Sequence, residues 1–338
     1  MTAMKILKVV FILSTIIITG CRRDPAVPNT PIYPNWNVFN PSNSILPSNN
    51  IWEIEVDDND QVWLLTDRKI YLTQIHGDDW ENITIPGAEE SSSSFWARGL
   101  SIDNGNSVWL NLNSTTTLKY SSNDAWTIYD SDQAGMVFGH VFTLKHDHIG
   151  NVYFGTAAGL IKFDGVNWER FDLSNSGITS NEVFSVAIDV DNSVWLSALG
   201  HQIFGGQSGV NHFTGSEWVT FTTNNSGLPS NAARIDIQQN GVKWFVSGFD
   251  RVATFDDLNW TPVTIPGNGE GSVKLYIDRF DNVWFCTNYG LIKYDGNQWI
   301  TYSTSNSGLP SNSVNDVAVD SEGKVWVATP NGLAVFRE

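Results

Sequence analysis

The stretch VAVDSEGKVWVATPNGLAVF (317–336) contains the unit from which most of the chain is built. Its first half is an alternating apolar segment, an Asp, a short turn and Val-Trp. The phrase recurs as IEVDDNDQVW (54–63), LSIDNGNSVW (100–109), LKHDHIGNVY (144–153), VAIDVDNSVW (186–195), IDIQQNGVKW (235–244) and LYIDRFDNVW (275–284), making seven copies. The closing aromatics Trp63, Trp109, Tyr153, Trp195, Trp244, Trp284 and Trp326 are 40 to 49 residues apart. Each follows by six positions Asp57, Asp103, Asp147, Asp189, Gln238, Asp278 or Asp320. The second half, GLAVF, has counterparts in GLIKFDG (159–165) and GLIKYDG (290–296).

A second series, Trp36, Trp80, Trp126, Trp168, Trp218, Trp260 and Trp299, runs in step with the first, but its first member precedes the first phrase. Period-two alternation in short segments reads as strand and not as helix. Each unit is therefore strand, Asp-turn, strand, Gly-turn, strand, turn, Trp-strand. Four short antiparallel strands per unit of this length make a propeller blade. The last unit stops after its third strand, and the chain opens with an orphan Trp-strand, NWNVF (35–39). Pairing the two closes the ring and removes the exposed sheet edges of an open stack. The expected fold is all-β: a seven-bladed β-propeller over 35–338, with an N-terminal outer strand completing the C-terminal blade.

NSGLPSN occurs at 225–231 and 306–312, with relatives NSGITSN (175–181) and NSILPSN (43–49). Each lies between a Trp-strand and the next inner strand, so it is the seam from one blade's rim to the next blade's centre. Gly and Pro supply its turn geometry. An Asp ending a strand caps the amides of the following turn. The turns DDND (57–60) and DVDN (189–192) carry carboxylates of the kind that hold Ca2+, without the full twelve-residue ligand spacing. A structural Ca2+ is thus the one cofactor considered, and no metal site is assigned.

Fifteen Trp, 18 Phe and 28 Gly in 338 residues, with 16% charged residues, suit short aromatic strands and tight turns. The net charge of -17 repels polyanions and argues against nucleic acid as a partner. Residues 1–21, MTAMKILKVVFILSTIIITGC, have a basic start and an apolar run too short to span a bilayer, as in an export signal. Their end, Ile18-Thr19-Gly20-Cys21, resembles a bacterial lipobox. That resemblance implies cleavage before Cys21, acylation of its thiol, and a lipoprotein of the bacterial cell envelope. The Pro-rich segment 22–34 reads as a tether. Cys286, inside a strand pattern, is then left without a disulfide partner and reads as a small buried hydrophobe.

Residues 312–336 closely match the two-component regulator propeller repeat, N-x-V-x-x-I-x-x-D-x-x-G-x-V-W-x-x-T-x-x-G-L-x-x-F/Y-D, and the chain resembles that family over about 36–338. The resemblance implies a blade architecture used in periplasmic sensor regions of bacterial hybrid two-component proteins, which are associated with sensing polysaccharide breakdown products. This sequence shows no kinase or DNA-binding segment after the last blade, so direct signalling is not expected of it. A looser resemblance to streptogramin lyase brings no matching His/Glu cluster.

Catalytic constellations are sparse. His146 and His148 flank Asp147, with no third metal ligand evident. No Ser-His-Asp arrangement, phosphate loop or Cys-x-x-Cys is present, so a non-enzymatic role is expected. Long loops and rim-to-centre connections share one face of a propeller. Five positions before each turn residue stand Trp52, Arg98, Phe142, Phe184, Ala233, Val273 and Asn315. The next position holds Glu53, Gly99, Thr143, Ser185, Arg234, Lys274 and Asp316. Strand alternation predicts that only one of these sets lines the central opening.

Aromatic faces beside basic groups suit sugar-like ligands, which makes Trp52, Arg98, Phe142, Phe184, Arg234 and Lys274 candidates; packing between blades is the alternative for the aromatics, and pairing with Glu53 or Asp316 for the two basic residues. The fourth unit also has an extended loop, LGHQIFGGQSG (199–209), with His201, Gln202 and Phe204 as further candidates. The expected function is a membrane-anchored binding or sensing propeller that takes a glycan or a partner protein on its loop face. The alternatives are a divalent-cation-dependent polysaccharide lyase or hydrolase, and an envelope scaffold.

Overall fold

The sixfold step from Asp to Trp has a geometric cause. In the first blade, Asp57 Oδ1 accepts from the amides of Asn59 (2.8 Å) and Gln61 (2.9 Å), while Oδ2 accepts from the indole Nε1 of Trp63 at 3.3 Å. The carboxylate thus caps the turn between the first and second strands and ties it to the Trp at the start of the second. The indole bond recurs at Asp103–Trp109 (2.8 Å), Asp278–Trp284 (2.7 Å) and Asp320–Trp326 (3.2 Å). In the fifth blade the Gln238 Oε1 replaces the carboxylate and accepts from Trp244 Nε1 at 3.0 Å. The fourth blade departs from this rule. There Lys243 reaches across from the next blade to Asp189 (2.9 Å), Trp195 stacks on His212 at 4.2 Å, and among the described residues its indole N–H has no partner.

The computed structural model describes residues 33–67, 71–88, 97–112, 116–121, 123–130, 139–200, 206–231, 234–247, 251–267 and 273–338, with backbone alone at Ala97 and Arg98. Among these residues are seven four-stranded antiparallel sheets, six of them built from strands consecutive in sequence. The seventh takes its outer strand from the N-terminal side: Trp36–Phe39 pairs with Gly332–Arg337 in the register Trp36↔Phe336 to Phe39↔Leu333. Trp36 stacks on Phe336 with centroids 4.0 Å apart. The expected closure is therefore the observed one. The leader 1–21 and all but the last two residues of the tether lie outside the described residues.

The repeated NSG phrase packs against the blade it leads into. A Cβ on Gly177 would fall 2.4 Å from the Trp218 side chain, one on Gly227 2.2 Å from Trp260, and one on Gly308 2.4 Å from Trp36. Any side chain there would displace the outer Trp of the next blade, and this steric demand is why the phrase recurs. In the first connection Ile45 replaces the glycine and is turned outward, 46% exposed. Between the blades, the inner and second strands bury Val, Leu, Ile and Trp in a series of apolar clusters. Such burial is the main stabilising term of the ring. The seven inner strands, Ile51–Val56, Ala97–Ile102, Val141–His146, Glu182–Ile188, Arg234–Ile237, Lys274–Ile277 and Asp316–Val319, line the central channel.

Candidate functional site at the channel mouth

The inner strands are not alike. In the first four blades the pairing register slips between Ile51 and Glu53, Arg98 and Ser101, Val141 and Thr143, and Val183 and Ser185. Each slip is a β-bulge, which leaves an extra residue unpaired and interrupts the alternation of side chains. Trp52, Phe142 and Phe184 are the extra residues in three of these strands. A cavity of about 280 Å3 at the mouth is consequently lined by both of two successive residues, Trp52 with Glu53, Phe142 with Thr143 and Phe184 with Ser185. The expectation that only one set faces the opening is thus corrected, and the bulges are the reason.

The aromatic members form an arc over neighbouring blades. His140 meets Phe142 edge-on at 4.9 Å, Phe142 lies 6.1 Å from Phe184, and the Arg234 guanidinium sits 4.7 Å over the Phe184 ring. Trp52, on the far side of the same cavity, is 44% exposed. Trp52 is exposed and Phe142 and Phe184 are only partly buried, unlike the fully buried Trp195 and Trp284 of the blade interfaces.

The charges around the mouth divide into engaged and unengaged groups. Lys274 Nζ pairs with Asp316 at 2.6 Å, and Asp316 also accepts from the amides of Ile54 (3.1 Å) and Val317 (2.9 Å). Glu53 accepts from the successive amides of Gly99 (3.2 Å) and Leu100 (2.6 Å). Gly99 has φ of 72°, a left-handed conformation that aims both amides at one carboxylate. Burial pushes the Glu53 carboxyl above its ordinary range, against the pull of Lys274 and those amides. Arg234 pairs with neither Glu53 nor Asp316 and makes no ion pair among the described residues; burial lowers its pKa while Asp316 opposes the change.

A second ring lies two positions before the turn residues and was missed by counting only the mouth positions. It places Glu55, Lys145, Asp236 and Tyr276 on the same channel. Asp236 is engaged by the amides of Ile237 (3.1 Å) and Ile277 (2.9 Å). Burial raises the Glu55 carboxyl to about 7, with Lys145 opposing and Asp316 reinforcing. Tyr276 is likewise pushed up by burial and by Glu55. The polar residue types at this register were the available signal, since an inner-strand residue two before a turn faces the same way as one four before it.

Of the other candidates, the Arg98 backbone opposes Asn111 in the second blade, while its side chain lies outside the described residues. His201, Gln202 and Phe204 also lie outside them. Lys274 took the pairing considered for it, and Arg234 did not. His146 turns into the interface of the second and third blades, 3.1 Å from Ser101 Oγ and 5.8 Å from the Trp109 ring, where burial pushes its pKa down to about 4. It is thus separated from the turn bearing His148, and no group of three or more His, Cys, Asp or Glu among the described residues is placed to hold a metal ion. Cys286 is buried and free, opposite Lys274 in the sixth blade.

The two component regulator propeller profile matches residues 308–331. Among curated proteins no sequence relative was found. Among solved structures, the extracellular domain of BT3049 of B. thetaiotaomicron, named as a hybrid two component system, superposes with a TM-score of 0.70 at 20% identity over 90% of this chain. This chain spans 41% of that one. Virginiamycin B lyase from Staphylococcus aureus superposes with a TM-score of 0.67 at 14% identity, over 89% of this chain and 98% of that one. PorZ of Porphyromonas gingivalis, a surface component of the type-IX secretion system, gives 0.63 at 16% identity, over 86% of this chain and 47% of that one. At such identities the superpositions establish the fold. The repeat at 308–331 is thus similar to the two component regulator propeller repeat, and the closed ring of seven blades shares its fold with these propellers.

Proposed function

We propose that this chain is a non-catalytic binding lipoprotein of the bacterial cell envelope, held to the membrane through lipid on Cys21, which captures a glycan at the mouth of its central channel. One observation carries the reading: an arc of partly buried aromatics, Phe142 and Phe184, ends in the Arg234 guanidinium, which makes no ion pair among the described residues, with Trp52 lining the same small cavity. Sugar rings present apolar faces to aromatics and hydroxyls to polar groups, and the cavity is at the small end of ligand sites. The extracellular placement of the BT3049 domain and the surface placement of PorZ support an envelope location.

The test is a thermal-shift screen of the full chain against oligosaccharides, with and without divalent cations. A glycan that raises Tm without being consumed supports the reading, and Trp52→Ala should weaken that binding by about 1–3 kcal/mol, as for an anchoring aromatic. Metal-dependent product release would instead make the chain a lyase or hydrolase. Stabilisation by a protein segment alone would replace the glycan by a protein partner. Separately, Cys21→Ala should abolish incorporation of labelled lipid; continued labelling overturns the anchor.

A further inference from the structure

We infer that the anchoring group of the ligand is a carboxylate that docks on Arg234 beside Phe184, so that the site selects acidic, uronate-bearing glycans over neutral ones. This rests on the glycan reading above and adds a charge requirement to it.

Most acidic groups at the channel already have partners within the fold. Both oxygens of Glu53 accept backbone amides, both oxygens of Asp236 accept backbone amides, and Asp316 holds Lys274 and two amides. These acids are compensated by the fold. Three groups facing the channel are not so engaged: Arg234, Lys145 and Glu55 have no hydrogen bond or ion pair among the described residues. Burial raises the Glu55 carboxyl to about 7, so it sets at most one negative charge against these two cations. The unengaged charge of the channel is therefore positive, inside a chain whose net charge is -17. A cation left partly desolvated and unpaired is costly, and it persists where a ligand supplies the counter-charge.

The geometry narrows the anion. Phe184 lies 4.7 Å from the guanidinium, whose N–H groups make no hydrogen bond among the described residues. A planar fork of donors matches a planar carboxylate with two parallel bonds. Around it stand groups suited to sugar hydroxyls: Thr143, and Ser185, whose Oγ accepts the Ile235 amide at 3.1 Å and keeps its own proton to donate. A ring carrying hydroxyls and one carboxylate, flanked by aromatic faces, meets all of these groups at once.

The experiment is titration calorimetry on the full chain in detergent. The probes are oligogalacturonate, oligoglucuronate and oligomannuronate, each beside its fully methyl-esterified form, which keeps the skeleton and removes the charge. At least one acid should bind about tenfold or more tighter than its ester, the scale of a charged hydrogen-bonded pair, and should weaken with added salt. Arg234→Gln should abolish that preference, and Arg234→Lys should retain part of it. Should Arg234→Gln fail to fold, the acid-against-ester comparison on the unaltered chain decides alone. Equal binding of acid and ester, or an unchanged preference in folded Arg234→Gln, overturns the carboxylate inference and leaves the glycan reading standing. Binding of a peptide with a free C-terminal carboxylate, with no sugar bound in either form, overturns the glycan reading and this proposal with it. Silence from every probe overturns both.

Discussion

Two arcs of one channel wall, made by the same repeat, present different chemistry. In blades one to four the inner strand carries a bulge, and the extra residue is Trp52, Phe142 or Phe184 in three of them. In blades five to seven the described inner strands run four residues without a slip, and the first residue is Arg234, Lys274 or Asp316. A bulge adds a residue without disturbing the apolar face that packs between blades. The ring can thus vary what it shows to the channel while every blade keeps its Asp or Gln turn. Differentiation is greatest in the wall, and the frame departs from its pattern mainly at the fourth blade, where Lys243 takes Asp189.

The comparison can be broken most severely through the frame that both arcs share. Trp36→Ala removes the ring stacked on Phe336 and lying over Gly308, and should cost about 3–5 kcal/mol in urea unfolding. The expected result is one cooperative transition moved to lower urea. Two separated transitions would mean that the arcs fold independently.

Titration sharpens the contrast between wall and frame, because the two respond to pH with opposite sign. Glu55, in the wall, has its folded-state carboxyl raised to about 7, so its contribution is full below the ordinary value of 4.5 and is lost as pH rises through 7. His146, between blades, has its folded-state pKa lowered to about 4, so stability present above 6.5 is lost as pH falls through 4. Each limb should amount to about 2 kcal/mol after allowance for solvent in the channel. Glu55→Gln should flatten only the upper limb of stability against pH, and His146→Gln only the lower; loss of both limbs in either variant would refute the separation.

A smaller effect is expected at the bulge of the second blade. Gly99→Val forces a β-branched residue into a left-handed conformation and turns the Gly99 and Leu100 amides away from Glu53. It should cost about 1–2 kcal/mol in the same unfolding assay, and a neutral result would show that the bulge is not needed to hold Glu53. The smallest change is expected for Trp52→Ala, whose exposed ring should alter stability by only about 0.5 kcal/mol while weakening ligand capture.

Most of the frame was legible because repetition made it so. Seven Asp or Gln positions at a constant step from an aromatic marked the turns, and the orphan strand before Trp36 revealed the closure without any coordinates. The site was legible only in part. Counting back from the turns reached Trp52, Phe142, Phe184, Arg234 and Lys274, but perfect alternation was the wrong rule where a bulge intervenes. The deeper ring of Glu55, Lys145, Asp236 and Tyr276 escaped because each residue is unremarkable within its own repeat.

By itself the sequence determined the repeat, the blade count and the way the ring closes, since periodic burial and turn chemistry act over a few neighbouring residues. Only the tertiary structure decided which wall residues share the channel and which charges remain uncompensated. Both depend on a one-residue slip in strand pairing and on amides from the adjoining blade, and neither is encoded within a single repeat.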